Sequence, residues 1–322
     1  MDIKKKDMNI DVSIVIVCMY NLKNLYPCLE SIKKYTTVSY ETLVVAYLFS
    51  KENLEKVKND FPWVKFIESN EIRGFSENNN LALRQAKGKY CFVVNDDTFM
   101  DIPVIDTLIE SIEKQSSNVA IMSPKGLFPD GSLQSCGRPI HSFWTYIAGM
   151  LRLYNEQNST SKLINQQGVF ETGTVVGAYF LIKTSVFKEI GFFNEKYFFC
   201  PEDIEVGDKV RKLGYKCFVD SDIYIYHTEG GSYKVSKTRV ATMPAASQGS
   251  LLYYGDNVFK RTILLILMKL IFALKYIYWK NKSNELWDKA YIMARANKNC
   301  YDSIGSKLST KEIFCKYYKS IK

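Results

Sequence analysis

The sequence predicts an α/β protein built on a mostly parallel sheet. Three apolar runs support this prediction: VSIVIV at 12–17, TLVVAYLF at 42–49 and YCFVVN at 90–95. Each is short and rich in β-branched or aromatic residues, as in strands that are covered on both faces. Helical patterns with short links separate these runs, and such alternation is typical of a parallel sheet with helices on both sides.

The other elements of the first hundred residues follow in order. Asn21 is expected to cap a first helix. The apolar positions of this helix recur at helical spacing, at Leu25, Cys28, Leu29 and Ile32. Further helices are predicted over about 51–59 and 77–87, with a short strand at about 64–67 between them.

The second half begins with an irregular stretch, about 126–172, that is rich in Gly, Ser and Gln. Periodicity then returns, and it predicts the following elements: the apolar run TVVGAYFLIK at 174–183, a helix at about 201–213 closed by Gly214, strands near 215–219 and 223–226, and helices from about 250.

Composition restricts the classes to which this chain can belong. Apolar residues make up 47% of the 322 positions, which argues for a sizeable core and against disorder. The eight cysteines form no Cys-x-x-Cys pair, so reduced thiols and an intracellular location are expected. Residues 1–10 form a charged N-terminal extension, and the apolar run after them is shorter than a typical signal-peptide core.

The net charge of +9 is confined to the end of the chain. Residues 1–250 contain 29 basic and 29 acidic residues, whereas residues 251–322 contain 14 basic and 5 acidic ones. A neutral body argues against a nucleic-acid groove, so no nucleic acid is expected as a partner. The basic tail, residues 251–322, predicts an anionic membrane surface instead.

Three groups of residues are candidates for chemistry. Asn95-Asp96-Asp97 ends a strand, where adjacent carboxylates form either a solvated turn or a site for Mn²⁺ or Mg²⁺. Glu202-Asp203 opens a helix, where acidic residues serve as caps or, facing a cleft, as a general base. His227 ends an apolar run and is either structural or a metal ligand. Gly230-Gly231 after it would allow a loop to close over a ligand.

Seven stretches in this order resemble the inverting family-two glycosyltransferases of the GT-A fold, especially the bacterial branch that includes rhamnosyltransferases. They are VSIVIVCMYN (12–21), RGFSENNNLAL (73–83), GKYCFVVNDDT (88–98), DGSLQSCGR (130–138), GAYFLIKTSVFKEIGFFNEKYFF (177–199), PEDIEVGDKVRKLGYK (201–216) and IYHTEGGS (225–232). The resemblance implies a GT-A domain over 11–245, with a Rossmann-like sheet, and a helical basic tail over 246–322. It also implies transfer of a sugar from a UDP- or dTDP-linked donor to a glycan or lipid-linked acceptor, in surface polysaccharide synthesis.

The resemblance also assigns roles to residues. It implies Asp97 and His227 as metal ligands, and Asp203 as the general base with Glu202 beside it. It places the donor nucleotide and sugar near a set of residues that follow the first, third and fourth strands: Tyr20, Asn21, Arg73, Gly74, Asn79, Asn95 and Asp96.

Two departures from the family pattern leave alternatives open. The family usually has Val-Asp-Asn after its second strand, whereas this chain has Val45-Ala46-Tyr47, so the base-binding carboxylate is missing. The usual Asp-Leu after the Glu-Asp pair is Glu205-Val206. A non-catalytic nucleotide-sugar binder remains an alternative. A sugar-nucleotide pyrophosphorylase is another, although CMYNLKN after the first strand contains no glycine to hold a triphosphate.

The tail contains an apolar stretch at 262–279, interrupted by Lys269 and Lys275. Its length approaches that of a membrane span, but the lysines make crossing costly. We expect a helix in the plane of the membrane interface on the inner face of the cell membrane, with one apolar side. That side is expected to contain Leu264, Leu267, Ile271 and Leu274. A helix packed on the domain or on a second subunit is the alternative. Every candidate site residue precedes Ser250, so a chain that ended near this residue would keep all of them.

Overall fold

The computed structural model describes residues 10–134, 136–154, 163, 165–228, 236–283 and 285–321. A nine-stranded sheet has the order β3-β2-β1-β4-β10-β6-β11-β5, with β8 paired to β11, and β7 and β9 form a separate pair. The strands are β1 Val12–Met19, β2 Tyr40–Tyr47, β3 Val64–Ser69, β4 Tyr90–Asn95, β5 Thr98–Phe99, β6 Val119–Leu127, β7 Gly137–Arg138, β8 Val169–Thr172, β9 Thr174–Val175, β10 Tyr179–Lys183 and β11 Lys216–His227.

The helices lie between these strands and after them. They are α1 Leu22–Tyr35, α2 Lys51–Asp60, α3 Phe75–Leu83, α4 Val104–Glu113, α5 Phe143–Met150, α6 Thr184–Glu189, α7 Glu202–Lys212, α8 Arg239–Tyr254, α9 Val258–Lys280, α10 Lys289–Ser303 and α11 Thr310–Tyr318. The alternation of strands and helices predicted from the sequence is confirmed from β1 to β4.

The first four strands form the parallel part of the sheet. β1 lies between β2 and β4, and β2 continues to β3, with every pairing parallel. Alternate residues of β1 enter two apolar clusters on opposite faces, Ile14 and Ile16 on one face and Val15 on the other. Burial of one such side chain contributes about 1.5–3 kcal/mol, so this double-sided core fixes the strand ends from which the functional loops begin.

An antiparallel strand changes the direction of the sheet. β10 pairs antiparallel with both β4 and β6. Its first residues therefore lie at the same edge as the last residues of β4, and the Asn95 amide donates to the Ala178 carbonyl at 2.8 Å. This pairing brings residues from the second half of the chain to the edge where parallel sheets bind ligands.

Several predicted elements have different limits in the structure. The strands predicted near 215–219 and 223–226 are one strand, β11, with an irregular register between Asp220 and Tyr224. The helix predicted over 77–87 begins at Phe75 and ends at Leu83. Asn21 occupies the N-cap of α1, but its side chain makes no capping hydrogen bond. The four apolar positions predicted for α1 are the residues that it buries.

Four helices, α8 to α11, form the C-terminal region. Leu264, Met268 and Phe272 of α9 are buried in a cluster that also contains Phe143 of α5 and Cys300 of α10. The expected apolar side of α9 is therefore wrong in one respect, because Leu264 faces the protein. The exposed apolar side contains Ile266, Leu270, Leu274 and Ile277. α9 is long and apolar enough to cross a membrane, and most of its surface is exposed.

The last helix, α11, is docked on the sheet domain. Thr310 Oγ1 accepts from the Phe198 amide (2.9 Å) and donates to the Lys196 carbonyl (2.7 Å). Lys311 Nζ lies 2.9 Å from a carboxylate oxygen of Glu77 in α3. The rings of Phe198 and Phe314 stack with centroids 4.1 Å apart. A chain ending near Ser250 would lose all these contacts, and the division of the chain after residue 245 falls inside α8.

Docking of α11 is testable through Phe314, which is buried against Phe198. We expect Phe314→Ala to lower the free energy of unfolding by about 3 kcal/mol, since it removes a ring and leaves a cavity. Urea denaturation measures the change. Leu308→Ala, at a partly exposed position before α11, should change stability by less than about 0.5 kcal/mol. Equal effects of the two substitutions would show that α11 is not docked.

Candidate active site

The end of β4 is the centre of the candidate site. Asn95, Asp96 and Asp97 follow one another there, and β5 then pairs antiparallel with the end of β11, with Thr98 opposite His227. The amide and hydroxyl of Thr228 both donate to the Asp97 carbonyl, at 2.9 and 2.6 Å. This short pairing places His227 next to Asp97, with His227 Nε2 3.2 Å from Asp97 Oδ1. Gly230-Gly231 lie outside the described residues.

His227 is held in one orientation by Gln134. Gln134 Nε2 donates to the His227 backbone carbonyl at 2.5 Å, so the amide oxygen of Gln134 faces the ring, 3.0 Å from Nδ1. Nδ1 therefore donates to Gln134, and Nε2 faces Asp97 Oδ1 at 3.2 Å. A neutral ring with its proton on Nδ1 directs the Nε2 lone pair towards the carboxylate. The contact is then favourable only with a proton or a cation at Nε2.

A divalent cation fits this pair. Carboxylate oxygen and imidazole nitrogen are ligands that Mn²⁺ accepts, and Mg²⁺ prefers oxygen. A hydrogen bond to the second ring nitrogen is the usual support for a metal-binding histidine. In the described part of the chain no three His, Cys, Asp or Glu residues converge. The protein would thus supply two ligands, and phosphate oxygens and water would supply the others.

Asp96 lies beside the thiol of Cys18 at the end of β1. The pKa of Asp96 is raised to about 6, because burial and the charge of Asp97 outweigh the opposing hydrogen bond with Cys18. The structure brings Asp96 together with the β1–α1 loop, as expected for a residue near the donor.

All eight cysteines are unpaired thiols, as the sequence predicted.

Asp203, the expected base, lies at the same edge of the sheet. A Cβ added to Gly177, next to Ala178, would be 3.4 Å from Asp203 Cβ, so the start of α7 lies in van der Waals reach of the residues before β10. Asp203 Oδ2 lies 3.2 Å from Arg138 Nη1, and both side chains remain partly exposed. A charged carboxylate with a partly open face is suited to accept a proton from a hydroxyl.

Glu202 differs from Asp203 although they are adjacent. It is buried, and its Oε2 has no hydrogen-bond partner among the described residues. Burial, with a further contribution from the charge of Asp203, raises the pKa of Glu202 to about 8. Glu202 is therefore protonated at neutral pH, which leaves Asp203 as the basic member of the pair.

The expected donor-binding residues fall into two groups. Tyr20 and Asn21 are exposed at the end of β1, and Tyr20 has a positive φ of 46°. Arg73 and Gly74 precede α3, and a Cβ on Gly74 would lie 2.2 Å from the Phe198 carbonyl oxygen, so only glycine fits there. Asn79 is buried inside α3, where its amide donates to the Phe75 carbonyl. Asn79 therefore bonds within its own helix, whereas the neighbouring Asn78 accepts from Ser69 Oγ and donates to the Arg73 carbonyl.

Tyr47 occupies the position after the missing base-binding carboxylate. Its hydroxyl accepts from the Arg73 amide at 3.2 Å, and the side chain is mostly buried. Burial raises the pKa of Tyr47, and Tyr318 of α11 is close enough to raise it further. The tail thus reaches the loop that is expected to flank the nucleotide base.

Two residues at the site escaped the sequence analysis. Gln134 and Arg138 both lie in DGSLQSCGR at 130–138, a stretch that matched the family pattern but to which no role was assigned. Their roles depend on contacts with His227 and Asp203, residues that are distant in sequence. The only signal was their position in a matching stretch inside an irregular region.

Comparison with known proteins identifies the family. The family model described as Glycosyl transferase family 2 matches residues 13–191, which is more than half of the chain. The chain belongs to glycosyl transferase family 2. The matched part of this glycosyltransferase includes Asp97, whereas Glu202, Asp203 and His227 follow it.

The glycosyltransferase also resembles curated bacterial proteins. It is 23% identical over 228 residues to the glycosyltransferase GlyG of Streptococcus pneumoniae, covering 68% of this chain and 71% of GlyG. It is 24% identical over 163 residues to the O-antigen biosynthesis protein RfbC of Myxococcus xanthus, covering 48% of this chain and 12% of RfbC. The chain therefore spans most of GlyG but a small part of RfbC.

Two solved structures resemble its fold. GalNAc-T7 with UDP, GalNAc and Mn²⁺ superposes with a TM-score of 0.55 at 15% identity, over 98% of this chain and 58% of that one. The mannosyltransferase PcManGT from Pyrobaculum calidifontis, in complex with GDP-Man and Mn²⁺, superposes with a TM-score of 0.54 at 14% identity, over 92% of this chain and 88% of that one. The glycosyltransferase has the GT-A fold that the sequence predicted.

The protonation of Glu202 yields a pH-dependent prediction. Because the pKa in the folded state is raised to about 8, the proton stabilises the folded state at low pH, and this stability is lost as pH rises towards 8. Glu202→Gln should therefore become increasingly more stable than the wild type between pH 5 and 8, measured by thermal unfolding. The exposed Glu55→Gln should show no such trend; if both variants behave alike, Glu202 is not held protonated.

Proposed function

We propose that this protein is a metal-dependent, inverting glycosyltransferase. It would move a hexosyl or rhamnosyl unit from a UDP- or dTDP-linked donor to a hydroxyl of a glycan or lipid-linked acceptor, in surface polysaccharide synthesis. One observation carries the proposal: a two-ligand set, Asp97 and His227, lies at the same sheet edge as Asp203 with its Arg138 partner. The family and the likeness to an O-antigen biosynthesis protein support it.

In this proposal Asp97 and His227 hold Mn²⁺ or Mg²⁺, which neutralises the negative charge of the departing diphosphate. Gln134 keeps Nδ1 protonated, so that Nε2 is the ligand atom. The side chain of Asp97 is largely enclosed, and Thr228 fixes its backbone. These contacts preorganise the two ligand atoms before the donor binds.

Asp203 acts as the general base. It accepts the proton of the acceptor hydroxyl as the oxygen attacks the anomeric carbon, and the carbon–diphosphate bond breaks on the opposite side. A single displacement of this kind inverts the configuration at that carbon. Arg138 Nη1, 3.2 Å from Asp203 Oδ2, orients the carboxylate. Glu202, which is protonated at neutral pH, contributes a neutral neighbour.

The nucleotide specificity follows from the loop around Arg73. The usual carboxylate is replaced by Ala46, which is buried. Tyr47 bonds through its hydroxyl to the Arg73 amide, so its ring is held in place beside the expected base position. We therefore propose a base held more by stacking than by a carboxylate hydrogen bond, with altered or relaxed base preference.

The protein is proposed to work in the cytoplasm, on the inner face of the cell membrane. The exposed side of α9 carries Ile266, Leu270, Leu274 and Ile277, and lysines lie at both ends of the helix. A helix with one side packed on protein and an apolar side exposed is suited to the bilayer interface, where the lysines meet anionic headgroups.

The metal role is tested at Asp97 and Gln134. Asp97→Asn should remove Mn²⁺ binding and activity, while Gln134→Met should weaken Mn²⁺ binding by about 10–100-fold, as loss of the partner of a histidine ligand does. Titration followed by the electron paramagnetic resonance of free Mn²⁺ measures both. Asp101→Asn, at an exposed position nearby, is the control. Full turnover in excess chelator would contradict the proposal.

The base is tested at Asp203. Asp203→Asn keeps the size and removes the basicity, so turnover should fall by about 10²–10⁴ while donor affinity stays within several-fold. Glu202→Gln is the matched control and should keep most of the turnover, because the wild-type carboxyl is already neutral. If Glu202→Gln is inactive and Asp203→Asn is active, their roles are exchanged. Donor binding without turnover or donor hydrolysis in the wild type would favour a non-catalytic binder.

Membrane association is tested on the exposed side of α9. Leu270→Gln should weaken sedimentation with vesicles that contain phosphatidylglycerol by about tenfold, because one buried Leu contributes about 1.5–3 kcal/mol. Thr262→Gln, exposed on the same helix, should have little effect. High salt should weaken binding of the full chain without abolishing it, since screening acts on the charges alone. If the full chain does not sediment with these vesicles, this part of the proposal is excluded.

A further inference from the structure

A second exposed apolar surface lies beside α9. It consists of four residues in the segment 139–153 that includes α5: Ile140, Trp144, Leu151 and Leu153. Trp144 is 65% exposed and Leu153 is 81% exposed, which is high for large apolar side chains. We call these four residues the α5 surface. Apolar side chains exposed together mark a contact with a partner or a membrane.

The segment with the α5 surface packs in the same cluster as α9. Phe143 and Ile147 of α5 lie in the cluster that contains Leu264 and Met268 of α9. Lys260 Nζ lies over the Phe143 ring, 5.7 Å from its centroid. Burial lowers the pKa of Lys275, and the nearby charge of Arg152 lowers it further, so Arg152 also lies close to α9.

The same segment begins at the candidate base. Arg138 is the ion-pair partner of Asp203, and Ile140 follows two residues later, at most about 7 Å along the chain. The segment leaves the domain at a fixed point, because Thr172 Oγ1 donates to the Arg138 carbonyl at 3.0 Å. A Cβ added to Gly173 would lie 2.3 Å from the Ile140 amide nitrogen, so the backbones are in close contact there.

The charges beside these surfaces identify the partner. Arg152 follows α5 and lies near Lys275 of α9, Lys260 of α9 lies over the Phe143 ring of α5, and the residues from 251 onwards carry the whole net charge of +9. Apolar side chains with Trp among cations match the interface of an anionic bilayer, in which Trp occupies the headgroup level. A protein partner would not require this excess of positive charge.

We infer that the α5 surface and the exposed side of α9 together dock on an anionic bilayer, so that Asp203 faces an acceptor saccharide anchored in that bilayer. This inference rests on the proposed function and adds to it a second membrane contact and the class of acceptor, an amphiphile with its lipid part in the membrane. The hydroxyl of the acceptor would reach Asp203 past Arg138 and Ile140.

The test uses the full chain and vesicles of phosphatidylcholine and phosphatidylglycerol. Brominated lipids quench Trp that enters the bilayer, so the wild type should lose fluorescence and Trp144→Phe should lose much less of it. Trp63→Phe, in the sheet domain, should be quenched like the wild type. Equal quenching of Trp144→Phe and the wild type would overturn the inference, because Trp144 would then lie outside the membrane.

A second variant separates docking from catalysis. Leu153→Glu should weaken vesicle binding by at least about tenfold, whereas Leu153→Phe should retain it. Asn59→Glu makes the same charge change at an exposed position of α2 and should have no effect. Hydrolysis of the nucleotide-sugar donor without acceptor should be unchanged in Leu153→Glu. If that hydrolysis is lost, or vesicle binding is unchanged, the α5 surface is not a membrane contact. If the wild type itself hydrolyses no donor, the proposed function fails independently of the docking result.

Discussion

Two pairs of adjacent carboxyl groups are the constraint on which the rest of the site depends. Asp96 and Asp97 repel each other, as do Glu202 and Asp203, and this repulsion must be reduced. The structure does this in three ways. His227 contacts the Asp97 carboxylate, Arg138 forms an ion pair with Asp203, and burial keeps Glu202 protonated with a pKa of about 8. Burial raises the pKa of Asp96 to about 6, and a nearby cation would favour its ionised form.

The topology of the sheet makes this arrangement possible. A purely parallel sheet would bring only the ends of β1, β2 and β4 together. The antiparallel β10 begins where β4 ends, so Gly177 and Ala178 connect the acidic end of β4 to α7 and Asp203. The pairing of β5 with β11 adds His227 from the other side. The proposed metal ligands and the proposed base thus come from three segments that the mixed sheet brings together.

The sequence predicted the parts that depend on local periodicity. The strands at β1, β2 and β4 and the buried positions of α1 were correct, because burial on a strand or helix repeats with the period of the element. Gln134 and Arg138 lie in an irregular stretch, where no period indicates a partner. The orientation of α9 could not be predicted either, because the helix has apolar residues on all its sides. The contacts with α5 and α10 decide which side is buried.

The charge division at residue 250 is a property of the surface, and it does not mark where one folding unit ends. α11 bonds to the backbone at 196 and 198, pairs with Glu77 and lies close to Tyr47, so the donor loops rest on the basic tail. α9 packs on α5, which leads back to Arg138 and Asp203. The helix with the exposed apolar side is therefore connected by packing to both halves of the site. The basic tail is therefore part of the packing that holds both halves of the site in place.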